Sequence, residues 1–312
     1  MLGDLLCAVP ALRALRAGLP EARITLVALP WAHELVERFD AYLDDFLALP
    51  GFPGLPEQPP DVRALPAMLA AAQASDFDLV VQLHGSGEVT NQLAVLLGGR
   101  RTAGFYRPGS YCPDPETFVR YPDDEPEPLR LLRLVEALGF PLAGDELEFP
   151  VRESDRSALR ALPELRRVGG DAYAVVHAGA RSARPWSADD FAAVADGLVA
   201  RGLSVVLTGS DAERDVTAAV ASAMRAPAVD LAGRTSLGSL AALLEGARLV
   251  VCNDTGVSHL AAALRVPSVV VFTTSDARRW APLDVDRHRR LEAALAQTDD
   301  VLRAAEEALS VA

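Results

Sequence analysis

The sequence contains no lysine; all 30 of its basic residues are arginine. That excludes Schiff-base catalysis through lysine and the lysine of a Walker-type phosphate loop. Cysteine is scarce. Cys7, Cys112 and Cys252 are too few and too scattered for a disulfide framework or a zinc site. Such usage suits a reducing compartment. Apolar runs are short, and none reaches the roughly 18 residues that a membrane-spanning helix requires. The first residues lack a basic stretch ahead of an apolar core, so no leader is expected. G-x-G-x-x-G, G-x-S-x-G, H-E-x-x-H and paired-cysteine motifs are missing, which argues against a nicotinamide dehydrogenase, a serine hydrolase or a zinc enzyme. No D-x-D follows an expected strand to hold a metal-bound diphosphate; Asp284-Val285-Asp286 falls in an expected loop.

What is present is an ordinary globular composition. The chain has 312 residues, half of them hydrophobic and 23% charged. At about 150 residues per domain this predicts two domains, each able to bury a core. The net charge of −13 opposes general nucleic-acid binding, which needs a basic footprint. It leaves room for an anionic small ligand at one local site.

The second half alternates strands and helices. Apolar runs at 174–177, 203–208, 227–231, 248–252 and 267–272 read as strands. Helices are expected at 191–199, 213–224, 237–244 and 256–264, with a final amphipathic helix pattern over 287–310. Ser187 followed by Asp190 reads as a capping box, with Gly202 ending that helix. The strands are continuously apolar, which indicates a parallel sheet covered on both faces. The first half has the same rhythm: helices at 5–17, 32–39, 62–74, 90–97 and 129–138, and strands at 23–29, 46–49, 78–83 and 102–105. The acidic stretch 113–128 reads as a loop. The fold class is therefore α/β, two Rossmann-like halves with parallel sheets. The expected division is 1–165 and 166–312, with the final helix packing back on the first domain. Ligands of such folds bind at the carboxyl ends of the strands.

Polar residues cluster at those ends. Asn253-Asp254-Thr255-Gly256 follows a strand and opens a helix, whose N-terminal amides favour an anion such as phosphate. His259 lies one turn further on. Asp254 or Thr255 equally well caps the helix. His177-Ala178-Gly179-Ala180-Arg181-Ser182-Ala183-Arg184 follows another strand, and arginine suits bidentate phosphate contact. A solvated basic loop is the plainer alternative. Glu213, after Thr208-Gly209-Ser210, can accept from a ribose or sugar hydroxyl, or simply favour the helix dipole. Asp4 by itself reads as an N-cap; on a ligand site it is a candidate general base. His84 follows a strand of the first half and is a candidate for the acceptor side.

Together these residues resemble glycosyltransferase family 9, the ADP-heptose:lipopolysaccharide heptosyltransferases. The resemblance is carried by Gly3-Asp4-Leu5-Leu6 with Pro10-Ala11-Leu12-Arg13, by Asp78–Gly85, by His177-Ala178-Gly179-Ala180 with Arg184-Pro185-Trp186, by Thr208-Gly209-Ser210 with Glu213, by 231–237, and above all by Asn253-Asp254-Thr255-Gly256 with His259. It implies a GT-B fold, two Rossmann-like domains facing a central cleft. It implies inverting, metal-independent transfer from a nucleotide-diphospho-sugar, by family default ADP-heptose, to a lipid-linked glycan acceptor of the lipopolysaccharide core or cell envelope. No cofactor, no metal and no nucleic acid are implied, and membrane contact is at most peripheral, at the cytoplasmic face. In this reading Asp4 is the general base. Arg184 stands where the family usually has a lysine that neutralises the leaving group. Asp254, Thr255, Gly256 and His259 hold the diphosphate, Glu213 the ribose, and Ser182 a phosphate. A GT-B-fold sugar-nucleotide epimerase and a degenerate nucleotide-sugar-binding protein are the alternatives. The family places a β-strand before Gly3-Asp4, whereas this sequence opens almost on the motif. The first half is therefore expected to lack a central strand, and about ten upstream residues, one strand and a turn, are expected to belong to the natural protein.

Overall fold

The computed structural model describes residues 1–168, 172–180 and 185–311. The chain forms two compact units, one spanning Gly3–Glu146 and the other running from Leu147 onward. The first holds α1 (Leu2–Gly18), β1 (Thr25–Ala28), α2 (His33–Arg38), β2 (Asp45–Ala48), α3 (Leu65–Ala74), β3 (Leu79–Val81), α4 (Thr90–Leu96), β4 (Arg101–Tyr106), β5 (Phe118–Arg120) and α5 (Glu127–Ala137). The second holds α6 (Glu153–Arg160), β6 (Tyr173–His177), α7 (Ala188–Val199), β7 (Ser204–Leu207), α8 (Arg214–Ala223), β8 (Val229–Asp230), α9 (Leu237–Glu245), β9 (Leu249–Asn253), α10 (Gly256–Ala263), β10 (Ser268–Phe272), α11 (Ala277–Trp280), β11 (His288–Glu292) and α12 (Thr298–Ser310). The division falls earlier than the expected 165/166 because the intervening segment is not a bare linker. Its helix α6 packs along α9, and Arg156 grips the Glu245 carboxylate with two hydrogen bonds of 2.7 and 2.8 Å.

The second unit is a six-stranded parallel sheet in the order β11-β10-β9-β6-β7-β8. Its first strand in sequence, β6, lies in the middle between β7 and β9. The valines of β9 and β10 are fully buried, as strands covered on both faces require. Helix α7 starts as expected, with the Ser187 hydroxyl accepting from the Asp190 amide at 3.1 Å. Two details differ from the sequence expectation. Residues 288–292 are an edge strand, not the start of the last helix. His288 is buried while Arg290 and Glu292 are exposed, and the strand exists through its pairing with β10, which helix-like charge spacing does not report. The final helix α12, expected to return to the first domain, puts Val301, Leu302, Ala305 and Ala308 into the core of the second unit beside Val251 and Val271.

The first unit is built differently. Its strands fall into two separate parallel sheets, β1-β2 and β3-β4-β5. The strand β5 lies inside the stretch 113–128 that reads as a loop. Phe118 opposite Gly104 is buried there, so one aromatic anchor outweighs the acidic surroundings. Helix α1 is almost wholly apolar, and its last turn is fixed at the start of β1. Arg16 donates to the Ala22 carbonyl (2.6 Å) and to the Asp44 carboxylate (2.5 Å). A 17-residue helix is about 25 Å long, so its first turn, with Asp4, lies at the opposite end, where the strands finish.

Between the two small sheets lies a groove of about 960 Å³. Its walls are β1 and β3, and Leu5, Ala8, Leu12 and Leu15 of α1 face into it. Every residue of β1 and β3 is only half-buried.

A buried ion pair, Arg130 with Glu127, lies in this unit. Arg130 is 1% exposed and donates to Glu127 (2.6 Å), the Tyr121 hydroxyl (2.6 Å) and the Glu125 carbonyl (2.8 Å), with its guanidinium 4.5 Å from the Tyr121 ring centre. Removing one partner leaves the other charge uncompensated. Glu127→Ala is expected to cost about 3–5 kcal/mol, read as a lowered urea midpoint; a loss under about 1 kcal/mol would contradict the pairing. A second expectation concerns pH. His288 lies buried with Nδ1 2.9 Å from the Ser268 hydroxyl, and burial, opposed by Asp284, draws its pKa down to about 4. In the unfolded chain it protonates near 6.5. The stability present above that pH should fall as pH drops toward 4, by up to about 3 kcal/mol. His288→Gln should flatten this acid limb in pH-dependent denaturation.

Candidate functional site

Three strand-end loops of the second unit converge at the carboxyl edge of its sheet. Asn253 ends β9. Its side-chain amide donates to the Ala178 carbonyl at 2.9 Å and reaches the Gly179 carbonyl at 3.5 Å, tying the β9 loop to the loop after β6. The Asn253 Oδ1 atom is buried and has no hydrogen-bond partner among the described residues. Glu213, from the loop after β7, lies against Gly179 so closely that a Cβ there would collide with its carboxylate. Glycine is needed at 179 for that approach. One Glu213 oxygen accepts from the Ser210 amide and hydroxyl, both at 2.7 Å, in a capping box. Burial opposes its charge, but the Ser210 donors outweigh burial, and the carboxyl stays below the usual range. Beneath it the His177 ring stands 3.1 Å from the Thr208 hydroxyl, and burial holds its pKa below the ordinary value.

The turn after β9 opens α10. Thr255 is its N-cap, with Oγ1 accepting from the Val257 amide at 3.4 Å, and Gly256 is its first residue. Asp254 is therefore not the cap. Its amide donates to the Val271 carbonyl (3.1 Å). Its carboxyl is largely buried, and burial pushes the pKa up, against a Ser275 hydrogen bond that lowers it. His259 lies one turn into α10, 5% exposed, with its ring edge-on to Trp280 at 5.9 Å between centres. The structure thus gathers Glu213, Asp254, Thr255 and Gly256 on neighbouring loops of one sheet edge. Ser182 and Arg184 lie outside the described residues.

In the first unit Asp4 sits in the first turn of α1, with Oδ2 2.8 Å from the Met1 amine. His84 follows β3 and pairs with Glu57 at 3.3 Å. Asp4, Glu57 and His84 all line the groove. The loop carrying His84 is held by Gln82, which donates to the His84 carbonyl and to the Thr90 hydroxyl (2.6 Å). Sequence reading missed Glu57, hidden in a Pro/Gly-rich loop, and the roles of Asn253, Gly179 and Gln82. A lone polar residue closing an apolar strand was the available signal for Asn253 and Gln82. No group of three or more His, Cys, Asp or Glu residues able to hold a metal is found among the described residues. No helix among them is long and apolar enough to cross a membrane.

The architecture is that of a GT-B glycosyltransferase. The structure is similar to E. coli heptosyltransferase WaaC solved with ADP, with a TM-score of 0.72 and 20% identity over 99% of this chain and 97% of that one. The description "Glycosyltransferase family 9 (heptosyltransferase)" matches residues 74–302, and the chain belongs to that family. Among curated sequences it is 35% identical over 124 residues to an E. coli lipopolysaccharide heptosyltransferase 3, which covers 38% of this chain and 36% of that protein. It is 26% identical over 293 residues to the lipopolysaccharide heptosyltransferase 3 of E. coli K12, covering 90% of this chain and 82% of that one.

The buried Asp254 gives a test of the site's electrostatics. A carboxyl whose folded pKa is raised destabilises the fold above that pKa and has no effect below the unfolded value. Asp254→Asn should therefore be more stable than the parent at neutral pH, with the gain fading as pH falls through the carboxylate range. Denaturation curves across pH measure this, and a variant less stable at neutral pH would contradict it.

Proposed function

We propose that the chain is an inverting, metal-independent glycosyltransferase that moves a sugar from a nucleotide-diphospho-sugar to a hydroxyl of a lipopolysaccharide-core or other cell-envelope glycan. The observation that carries this reading is the convergence of Glu213, the Gly179 loop and the N-terminus of α10 at one sheet edge. That edge offers a carboxylate acceptor for ribose hydroxyls beside helix amides suited to a diphosphate. ADP-heptose is the donor to test first, since the similar WaaC structure holds ADP.

The chemistry is a single displacement. The acceptor oxygen attacks the anomeric carbon as the bond from that carbon to the diphosphate oxygen breaks, which inverts the centre. Asp4 takes the hydroxyl proton. The charge that develops on the departing nucleoside diphosphate is met by the α10 amides and by the Arg184 guanidinium, a planar donor that keeps the positive charge of the family's lysine. Ser182 contacts a phosphate, and His259 supports the diphosphate end. His84, oriented by Glu57, lies on the acceptor side. The enzyme acts on a lipid-linked acceptor from the cytoplasm, with peripheral membrane contact at most.

Calorimetry with ADP, UDP, GDP and their sugar conjugates tests the donor side. ADP should bind selectively, and Glu213→Ala should weaken it about tenfold, or ~1.4 kcal/mol. Asp4→Asn should leave ADP affinity unchanged while lowering kcat by about 10²–10⁴, the range of a lost general base. Binding of no nucleotide would overturn the proposal. Turnover of the donor sugar without any acceptor would assign the chain to the epimerases instead.

A further inference from the structure

The register of the second sheet brings a fourth strand end to the donor edge. β10 lies parallel beside β9 with Val271 opposite Asn253, so the chain leaving β10 starts next to Asp254. It runs through Ser275 and Asp276 into the short helix α11. The Ser275 side chain is hydrogen-bonded to the Asp254 carboxyl. The Trp280 ring meets the His259 ring edge to face, 5.9 Å between centres and 76° between planes. The motifs that carry the family resemblance end at His259 and leave this segment unassigned.

The segment is not part of the core: of residues 273–280, Ala277 alone is buried. It is nevertheless firmly built. Asp276 caps α11, its carboxylate accepting from the Arg278 amide at 2.9 Å and from the Arg278 side chain at 3.0 and 3.2 Å. The Asp276 carbonyl accepts from the Arg279 and Trp280 amides at 3.0 and 3.1 Å. Arg278 is thus the main partner of Asp276, and Arg279 adds the smallest influence on that carboxyl. The Arg279 guanidinium lies over the Trp280 ring, 4.5 Å from its centre. Indole is the ring that holds a cation best, and a planar guanidinium can stack on it while its N–H groups still donate.

We infer that Arg279, Trp280 and His259 form one stack at the diphosphate end of the donor site, with Arg279 a ligand-binding residue and Trp280 a positioning residue. The inference rests on the donor reading above. Rotation of a histidine ring about its own bond is soft, and the indole restricts it, so that His259 keeps one plane toward the ligand. Arg279, presented on the face of that indole, donates to the terminal phosphate of a nucleoside diphosphate, the phosphate that carries the sugar. A guanidinium matches phosphate oxygens two at a time. At a net charge of −13 the chain as a whole repels anions, so local cations decide where a diphosphate rests.

Calorimetry with ADP and with AMP, which lacks the terminal phosphate, tests this on the whole chain. The forms compared are the parent, Arg279→Gln, Trp280→Ala and Trp280→Phe. Both side chains lie outside the core, so all four forms should melt together. Arg279→Gln should weaken ADP about tenfold, the loss of a charge-assisted hydrogen bond, and leave AMP unchanged. Trp280→Ala should weaken ADP roughly three- to tenfold, again without effect on AMP, and Trp280→Phe, which keeps a ring, should restore most of the loss. ADP binding that is indifferent to Arg279→Gln overturns the inference. So does an equal fall in ADP and AMP affinity, which would make the segment a purely structural support. A Trp280→Phe variant as weak as Trp280→Ala overturns the positioning role. A parent that binds neither nucleotide overturns the donor reading itself, and this inference with it, whereas a parent that binds ADP beside indifferent variants overturns the inference alone.

Discussion

A parallel strand needs a partner along each edge, and the rest of this molecule depends on how far that requirement is met. In the second unit it is met for the four inner strands, and the edge strands β11 and β8 have one neighbour each among the described residues. The ladder β11-β10-β9-β6-β7-β8 leaves its central strands with neighbours on both sides, and their valines are excluded from water. The ladder also fixes direction. Every strand ends on the same edge, so the polar residues that follow β6, β7 and β9 are delivered to one place. Asn253 can reach the Gly179 carbonyl, and Glu213 can lie on Gly179, only because those three strands are adjacent and in register.

In the first unit the same requirement is met in pieces. β1 and β3 have the composition of inner strands yet are half-exposed, and the groove between them is lined by the apolar face of α1. The unit is held elsewhere by features that do not depend on that gap. The Arg130 cluster fixes α5 to the Tyr121 segment, and the Arg16–Asp44 pair fixes α1 to the start of the β1-β2 pair. The two carboxylates Asp4 and Glu57 and the imidazole of His84 thus line the groove between two separate small sheets.

Much of the fold was legible because parallel strands are buried on both faces and so appear as continuous apolar runs. The strands of the second unit lie within a residue or two of where those runs place them, and Ser187 announced its helix through an ordinary cap. The misreadings have a common cause. The strand at 288–292 carries charge because it lies at a sheet edge, and β5 is three residues long in an acidic stretch; both exist through pairing with a neighbour that is distant in sequence. Helix α6 escaped notice because its eight residues are mostly polar and its stability comes from α9.

The sequence by itself determined the class of fold, the alternation of strands and helices, and the candidate residues at strand ends, because periodicity, caps and glycine turns are local. It also carried the family, through motifs spread along the chain. Only the tertiary structure decided that Thr255 rather than Asp254 caps α10, that Asp254 is buried enough for its carboxyl to resist ionisation, and that Glu213 presses on Gly179. These outcomes depend on burial and on contacts across tens of residues, which no local pattern encodes. The same holds for the groove. An unmatched strand edge is a property of neighbours, and it becomes visible only when the strands on either side of it are in place.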